Sequence, residues 1–314
     1  MATTKFAAAG LALAAFLLGT TAQAFPWPPG PGQVQIPLWP GAAPDPLRVN
    51  GPEFTASDPK ALIGGKTVTS ISRVSHPTLT LYRPKGRNTG AAVVVYPGGG
   101  FWILAIDLEG TEVCDWLTAK GVACVLVKYR VPGDDKKQSS RTGPYPQSPV
   151  ALEDAQRAIA RTRFHAKDWG IDPRKFGVLG FSAGGYLVAA TGALDRIYKP
   201  IDAVDRQSVR PDFGIALYPG HLWIDDARFE LNPNVPVNTH TPPTFIVQIE
   251  DDPVDSINNA LVYYIALKKA GVPTEMHLFA KGGHAFGLRH TNELATDWPR
   301  LAERWLESIG MIGR

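Results

Sequence analysis

Gly180-Phe181-Ser182-Ala183-Gly184 is the stretch that decides how this chain is read. Before it runs Lys175-Phe176-Gly177-Val178-Leu179, short, apolar and bounded by turn residues, as a strand would be. After it runs Gly185-Tyr186-Leu187-Val188-Ala189-Ala190, which reads as a helix. A G-x-S-x-G pentapeptide between strand and helix makes a sharp turn that lifts a serine hydroxyl above a sheet, and its glycines let backbones pass closely. The helix N-terminus aims N–H groups and the positive end of its dipole at the same spot. Ser182 is therefore the candidate nucleophile. The plain alternative is a glycine-rich turn without chemistry.

The alternation continues on both sides. Thr78–Tyr82 has the period of two of a strand, and Ala92–Tyr96 is continuously apolar, as in a sheet covered on both faces. Residues 110–120 read as a helix, 122–129 as a strand and 150–164 as a helix. Beyond the pentapeptide, 213–218, 244–249 and 275–279 read as strands, with a helix over about 256–270 between the last two. A closing helix after Pro299 puts Leu301, Trp305, Leu306 and Ile309 on one face and stops at Gly310. This pattern predicts an α/β fold with a mostly parallel central sheet and helices on both faces. Sites in such sheets form at the carboxyl ends of strands. Residues 25–66, rich in proline and glycine, predict an extended arm lying over a catalytic domain of 67–314, with Trp27 and Trp39 packed on its surface. Residues 131–149 hold four prolines and predict a long polar loop that acts as a rim or partial lid.

Residues 1–24 carry one charge, Lys5, then an apolar run over 6–19, and end in the small-x-small pattern Ala22-Gln23-Ala24. This predicts a signal peptide cut after Ala24, a secreted or periplasmic location and no membrane attachment after the cut. The length that remains suits one large domain. The formal net charge of +3 is made of interspersed charges, and the cluster Asp134-Asp135-Lys136-Lys137 is mixed in sign, which argues against nucleic-acid binding. Cys114 and Cys124 are expected as buried thiols, although export would permit a bond. No cluster of His, Cys and carboxylates has ligand spacing, so neither a metal nor another cofactor is expected.

A serine hydroxyl needs a base, and the base needs a carboxylate to orient it and to balance its charge. His284 is the candidate base, in the glycine-rich loop Lys281-Gly282-Gly283-His284-Ala285-Phe286-Gly287 after the last strand. His290 is a nearby competitor, His277 alternates along a strand and reads as structural, and His76, His165 and His240 have no comparable setting. The carboxylate is sought in Glu250-Asp251-Asp252-Pro253-Val254-Asp255, directly after another strand. Asp252, placed before Pro-Val, is the first choice and Asp251 the second, while Asp255 fits the N-cap of the next helix. A tetrahedral oxyanion needs preorganised donors. The turn Tyr96-Pro97-Gly98-Gly99-Gly100-Phe101 exposes the N–H groups of Gly99 and Gly100, joined by that of Ala183. Phosphate binding by this turn is disfavoured, because neither a following Lys-Ser/Thr nor the dinucleotide glycine spacing is present. Phe101, Trp102, Phe181 and Tyr186 are candidate walls of an acyl pocket, with His221 and Trp223 on the alcohol side.

Together these motifs resemble the α/β-hydrolase superfamily over roughly residues 67–310. The order of oxyanion glycines, Ser182, Asp252 and His284 is the order of that superfamily. Within it the chain is similar to the acetyl esterase/lipase branch, which includes acetylxylan and feruloyl esterases. It is also similar to the hormone-sensitive-lipase-like esterases, where the oxyanion turn usually reads His-Gly-Gly-Gly; here Pro97 stands in place of the histidine. In the wider branch the acid precedes a Pro/x-Val pair, which favours Asp252. The resemblance implies a carboxylic ester hydrolase that transfers short acyl groups, acetyl above all, through a serine acyl-enzyme, with an ester of a small molecule, sugar or plant polysaccharide as substrate. A lipase or peptidase of the same superfamily and a non-catalytic binding protein on this scaffold are the alternatives. Nothing in the sequence sets an oligomeric state.

Overall fold

The structure is a computed structural model that describes residues 27–133, 148–223 and 228–313. The expected signal peptide and most of the expected 131–149 loop lie outside the described residues. Among the described residues, eleven strands form two sheets. The chain runs through β1 (Gln35–Pro37), β2 (Phe54–Ile63), β3 (Lys66–Ser72), β4 (Thr78–Tyr82), β5 (Ala92–Tyr96), β6 (Ile103–Ala105) and α1 (Glu112–Ala119). It continues with β7 (Ala123–Lys128), α2 (Pro149–Phe164), α3 (Ala166–Trp169), β8 (Phe176–Phe181), α4 (Ala183–Ala193) and β9 (Phe213–Leu217). It ends with β10 (Thr244–Ile249), α5 (Asn258–Lys269), β11 (Thr274–Phe279) and α6 (Trp298–Ser308).

The main sheet has the order β1-β4-β7-β5-β8-β9-β10-β11. β4 is antiparallel to both β1 and β7, and every pair from β7 to β11 is parallel. The parallel run places the carboxyl ends of β5, β8, β9, β10 and β11 along one edge, which is where the candidate residues lie. Strands β5, β7, β8, β9 and β10 are buried at every position, because helices cover both faces. β11, at the end of the sheet, has exposed and half-buried positions. The second sheet is antiparallel, in the order β2-β3-β6.

The proline-rich segment is more integrated than its composition suggests. β1 adds an antiparallel strand to the sheet edge, the one place where Pro37 costs no ladder bond to a further strand. The β2–β3 hairpin crosses residue 66. Trp27 and Trp39, expected on the surface, are buried in the core. The Trp39 indole N–H donates to Asp154 at 2.8 Å, and the Arg157 guanidinium lies over its ring. α2 starts with Ser148, whose hydroxyl accepts from the Ala151 N–H at 3.4 Å, and with Pro149 in the first turn. Cys114 and Cys124, expected as thiols, form a disulfide. The turn after α1 folds the chain straight back into β7 and brings the two Cα atoms to 5.2 Å, within bonding range.

Candidate active site

Ser182 follows β8 directly and is held with φ 51° and ψ −117°, a conformation that L residues rarely adopt. Three backbone hydrogen bonds enforce it. The Ser182 N–H donates to the Leu217 carbonyl at 3.0 Å, and its carbonyl accepts from Tyr186 at 3.2 Å and Gly220 at 3.1 Å. The flanking glycines are required by close approach: a Cβ on Gly180 would strike the Gly184 carbonyl, and one on Gly184 the Tyr96 carbonyl. Strain is concentrated here. Of the six non-glycine residues with positive φ among the described residues, Phe101, Ser182, Tyr218, His221 and Ala285 all lie in turns that follow strands of the parallel run.

The turn after β5 lies against Ser182, since a Cβ on Gly98 would come 3.1 Å from the Ser182 Cβ. The Gly99 carbonyl closes the turn by accepting from Trp102 at 2.9 Å and Ile103 at 3.2 Å, and the Gly98 N–H donates to Glu109 Oε2 at 2.8 Å. The N–H groups of Gly99 and Gly100 make no hydrogen bond to another described residue. Ala183 is buried at the first position of α4.

His284 hydrogen-bonds Asp252 through Nδ1, with 2.7 Å to Oδ2. Its Nε2 lies 3.8 Å from Asp255 Oδ2, and the side chain is 4% exposed. Asp251 does not touch the imidazole. Its Oδ1 accepts from the N–H groups of Gly282 at 3.1 Å and Gly283 at 2.8 Å, which holds the loop that carries His284. His290 is turned to solvent beside Asp297, and His277 pairs with Glu275 on β11. Asp255 corrects the expectation that it caps α5. That helix begins after Ile257 without a side-chain cap, and Asp255 instead accepts the Ser182 hydroxyl at 3.0 Å.

Glu109 is the residue that sequence reading passed over. It is buried on a single π-helical turn, Asp107–Thr111, a distortion that often marks functional positions. One carboxylate oxygen accepts from the Gly98 N–H and the other from the Tyr218 hydroxyl at 2.8 Å. The Tyr218 oxygen accepts from the Gly287 N–H at 3.2 Å, and the Gly287 carbonyl accepts from Trp298 Nε1 at 2.8 Å. Glu109 and Tyr218 thus tie the oxyanion turn to the histidine loop. Nothing local marks the glutamate, because its partners are 11 and 109 residues away.

The electrostatics follow from this crowding. Burial, the largest influence on His284, pulls its pKa down. The hydrogen bond to Asp252 and the charges of Asp255, Asp252 and Glu109 outweigh it, so the pKa stands above the ordinary 6.5. Burial raises the pKa of Glu109, against the opposing effects of Tyr218, His284 and the Gly98 N–H.

The candidate walls separate by burial: Trp102, His221 and Trp223 are half-buried, and Phe101, Tyr186 and Phe181 are buried. Phe101 stacks on His221 at 5.2 Å and meets Tyr186 edge-on at 5.9 Å, beside the oxyanion turn. Asn259 Oδ1 accepts from the Leu222 and Trp223 N–H groups. Phe101, Tyr186 and Phe181, expected as walls, are buried and belong to the core; Phe181 lies between Tyr218 and Trp298 at the end of a strand buried on both faces.

A strained serine after a central parallel strand, with the acid and histidine on the next loops in chain order, is the architecture of an α/β-hydrolase. The BD-FAE family model matches residues 79–216. An acetylxylan esterase of Xylanibacter ruminicola is 29% identical over 247 residues, 70% of this chain and 46% of that protein. The endo-1,4-beta-xylanase B of Butyrivibrio fibrisolvens is 25% identical over 224 residues, 66% of this chain and 34% of that protein. The chain therefore spans between a third and a half of the length of these curated relatives. The crystal structure of an acetyl ester-xyloside bifunctional hydrolase from Caldicellulosiruptor lactoaceticus superposes with a TM-score of 0.68 at 32% identity, covering 89% of this chain and 97% of that one. The chain belongs to the α/β-hydrolase superfamily, in its acetyl esterase/lipase branch. Among the described residues, no helix is long and apolar enough to cross a membrane.

Proposed function

We propose that this chain is an exported serine carboxylesterase that hydrolyses short-chain acyl esters, acetyl esters above all, on sugars or plant polysaccharides. The observation that carries the reading is the His284–Asp252 hydrogen bond on the loops beside the strained Ser182. Ser182 attacks the ester carbonyl while His284 takes its proton at Nε2. Asp252 fixes the imidazole through Nδ1 and balances its charge. The N–H groups of Gly99, Gly100 and Ala183 receive the oxyanion. His284 then protonates the departing alcohol, and water activated by the same ring releases the acid. The acetylxylan esterase and the acetyl ester-xyloside hydrolase among the similar proteins support a preference for small acyl groups and a sugar alcohol.

The test is release of p-nitrophenol from acetate, butyrate and octanoate esters, alongside acetate release from acetylated xylan. Turnover is expected to be highest on the acetate, and Ser182→Ala is expected to abolish it by orders of magnitude while the melting temperature is kept. A Ser182→Ala protein with the wild-type rate, or no turnover of any ester and no labelling of Ser182 by a fluorophosphonate, overturns the reading. Export is supported by the cleavage pattern at residues 22–24, and N-terminal sequencing of exported protein is expected to begin at Phe25.

A further inference from the structure

Asp255 has no part in the proton transfer from Ser182 to His284, yet its carboxylate lies beside both. Oδ2 accepts the Ser182 hydroxyl at 3.0 Å and stands 3.8 Å from His284 Nε2. The chain holds it there from several directions. The Asp255 N–H donates to Asp252 Oδ1 at 3.0 Å, and its carbonyl accepts from Gln248 Nε2 at 2.7 Å. Facing the carboxylate is Gly220, where a Cβ would collide with the carboxylate oxygens.

We propose that Asp255 is a further catalytic carboxylate of this site: it holds the hydroxyl of the resting Ser182, and it stabilises the imidazolium of His284 from the Nε2 side while Asp252 does so from Nδ1. The proposal rests on the esterase reading above. In the attack, the bond from Oγ to the carbonyl carbon forms as the Oγ–H bond breaks, the carbonyl π pair moves onto oxygen, and the proton goes to Nε2. Asp255 takes no proton, because a carboxylic acid gives its proton up to imidazole at neutral pH. It supplies a fixed negative charge beside the ring at the moment the ring becomes positive.

The groups facing the ring are Asp252, Asp255, Glu109 and the phenol of Tyr218, whose centroid is 4.8 Å away. Neutralising Asp255 therefore has two separate effects. The transition state loses a stabilising charge, so the plateau rate falls. The resting imidazole loses a neighbour that favours its proton, so the acid limb of the profile moves to lower pH. A purely structural loss lowers the rate without moving the limb.

The experiment is the pH profile of kcat/KM on p-nitrophenyl acetate for wild type, Asp255→Asn and Gly220→Ala, with melting temperatures alongside. For Asp255→Asn the plateau is expected to fall about tenfold or more, and the acid midpoint to fall by about one pH unit. Gly220→Ala keeps the charge but displaces it from the ring, and both quantities are expected to fall there too. If Asp255→Asn does not fold, Gly220→Ala carries the test. A wild-type plateau and midpoint, or a lowered plateau with an unmoved midpoint, overturns the proposal. Turnover that survives Ser182→Ala overturns the esterase reading instead, so the two failures are read from different variants.

Discussion

At the junction of β7 and α2, Asp154 and Glu153 face the guanidinium of Arg130; at the carboxyl ends of the strands, Asp252, Asp255 and Glu109 face the imidazole of His284. Both groups bury carboxylates, but the cations differ in kind. Arg130 is fully buried, donates to Asp154 and Glu153 at 2.8 Å each, and also reaches the carbonyls of Val150 and Asp45. Burial pulls its pKa down, and the two carboxylates more than reverse this, so it stays charged. The charge of an arginine is permanent, and the cluster is a fixed joint between strand and helix. The charge of a histidine comes and goes near neutral pH, so three carboxylates around one imidazole favour a proton that arrives and leaves. On the proposed reading, one acidic cluster is organised for holding and the other for transfer.

The sharpest way to break this contrast is to remove each cation. His284→Ala is expected to lower ester turnover on the order of 10⁴-fold while leaving the melting temperature close to wild type. Arg130→Ala leaves Asp154 and Glu153 buried without their partner and is expected to cost about 3–5 kcal/mol of stability, read from urea unfolding. If Arg130→Ala were as stable as wild type, or His284→Ala melted far lower, the division into joint and transfer site would fail.

A smaller effect separates the two in pH. Because the folded pKa of His284 stands above 6.5, kcat/KM is expected to rise with a midpoint above pH 6.5. The linkage to stability has the opposite slope. The folded ring binds its proton more tightly than the unfolded chain does, so its contribution is fully present below the unfolded value and is lost as pH rises through the folded pKa. Glu153, pushed up to about 7 chiefly by burial, adds a slope of the same sign. The His284 part is therefore the difference in melting temperature between wild type and His284→Ala across pH, and an unchanged difference would remove it.

The parallel run was legible because strands buried on both faces are written as unbroken apolar runs, as in Ala92–Tyr96 and Thr244–Ile249. The loops after those strands drew attention to Ser182, Asp252 and His284 for the same reason, since their positions follow from the sheet. What stayed hidden depends on distant contacts. β1 is three residues long and includes a proline, so only its partner β4 identifies it as a strand. Trp39 reads as an exposed arm residue until Asp154 receives its N–H, 115 residues away. Asp255 was read through its sequence neighbour, the helix to come, when its carboxylate answers to Ser182. Glu109 sits on a turn whose π geometry has no pattern in the letters.

The bond between Cys114 and Cys124 has a practical corollary. Both residues are fully enclosed by the core, so no reductant or oxidant reaches the sulfurs unless α1 lifts away from β7. Once closed, the molecule keeps the oxidation state in which it folded and carries that history with it, which makes a thiol count on the purified, denatured protein a report on the compartment of its birth.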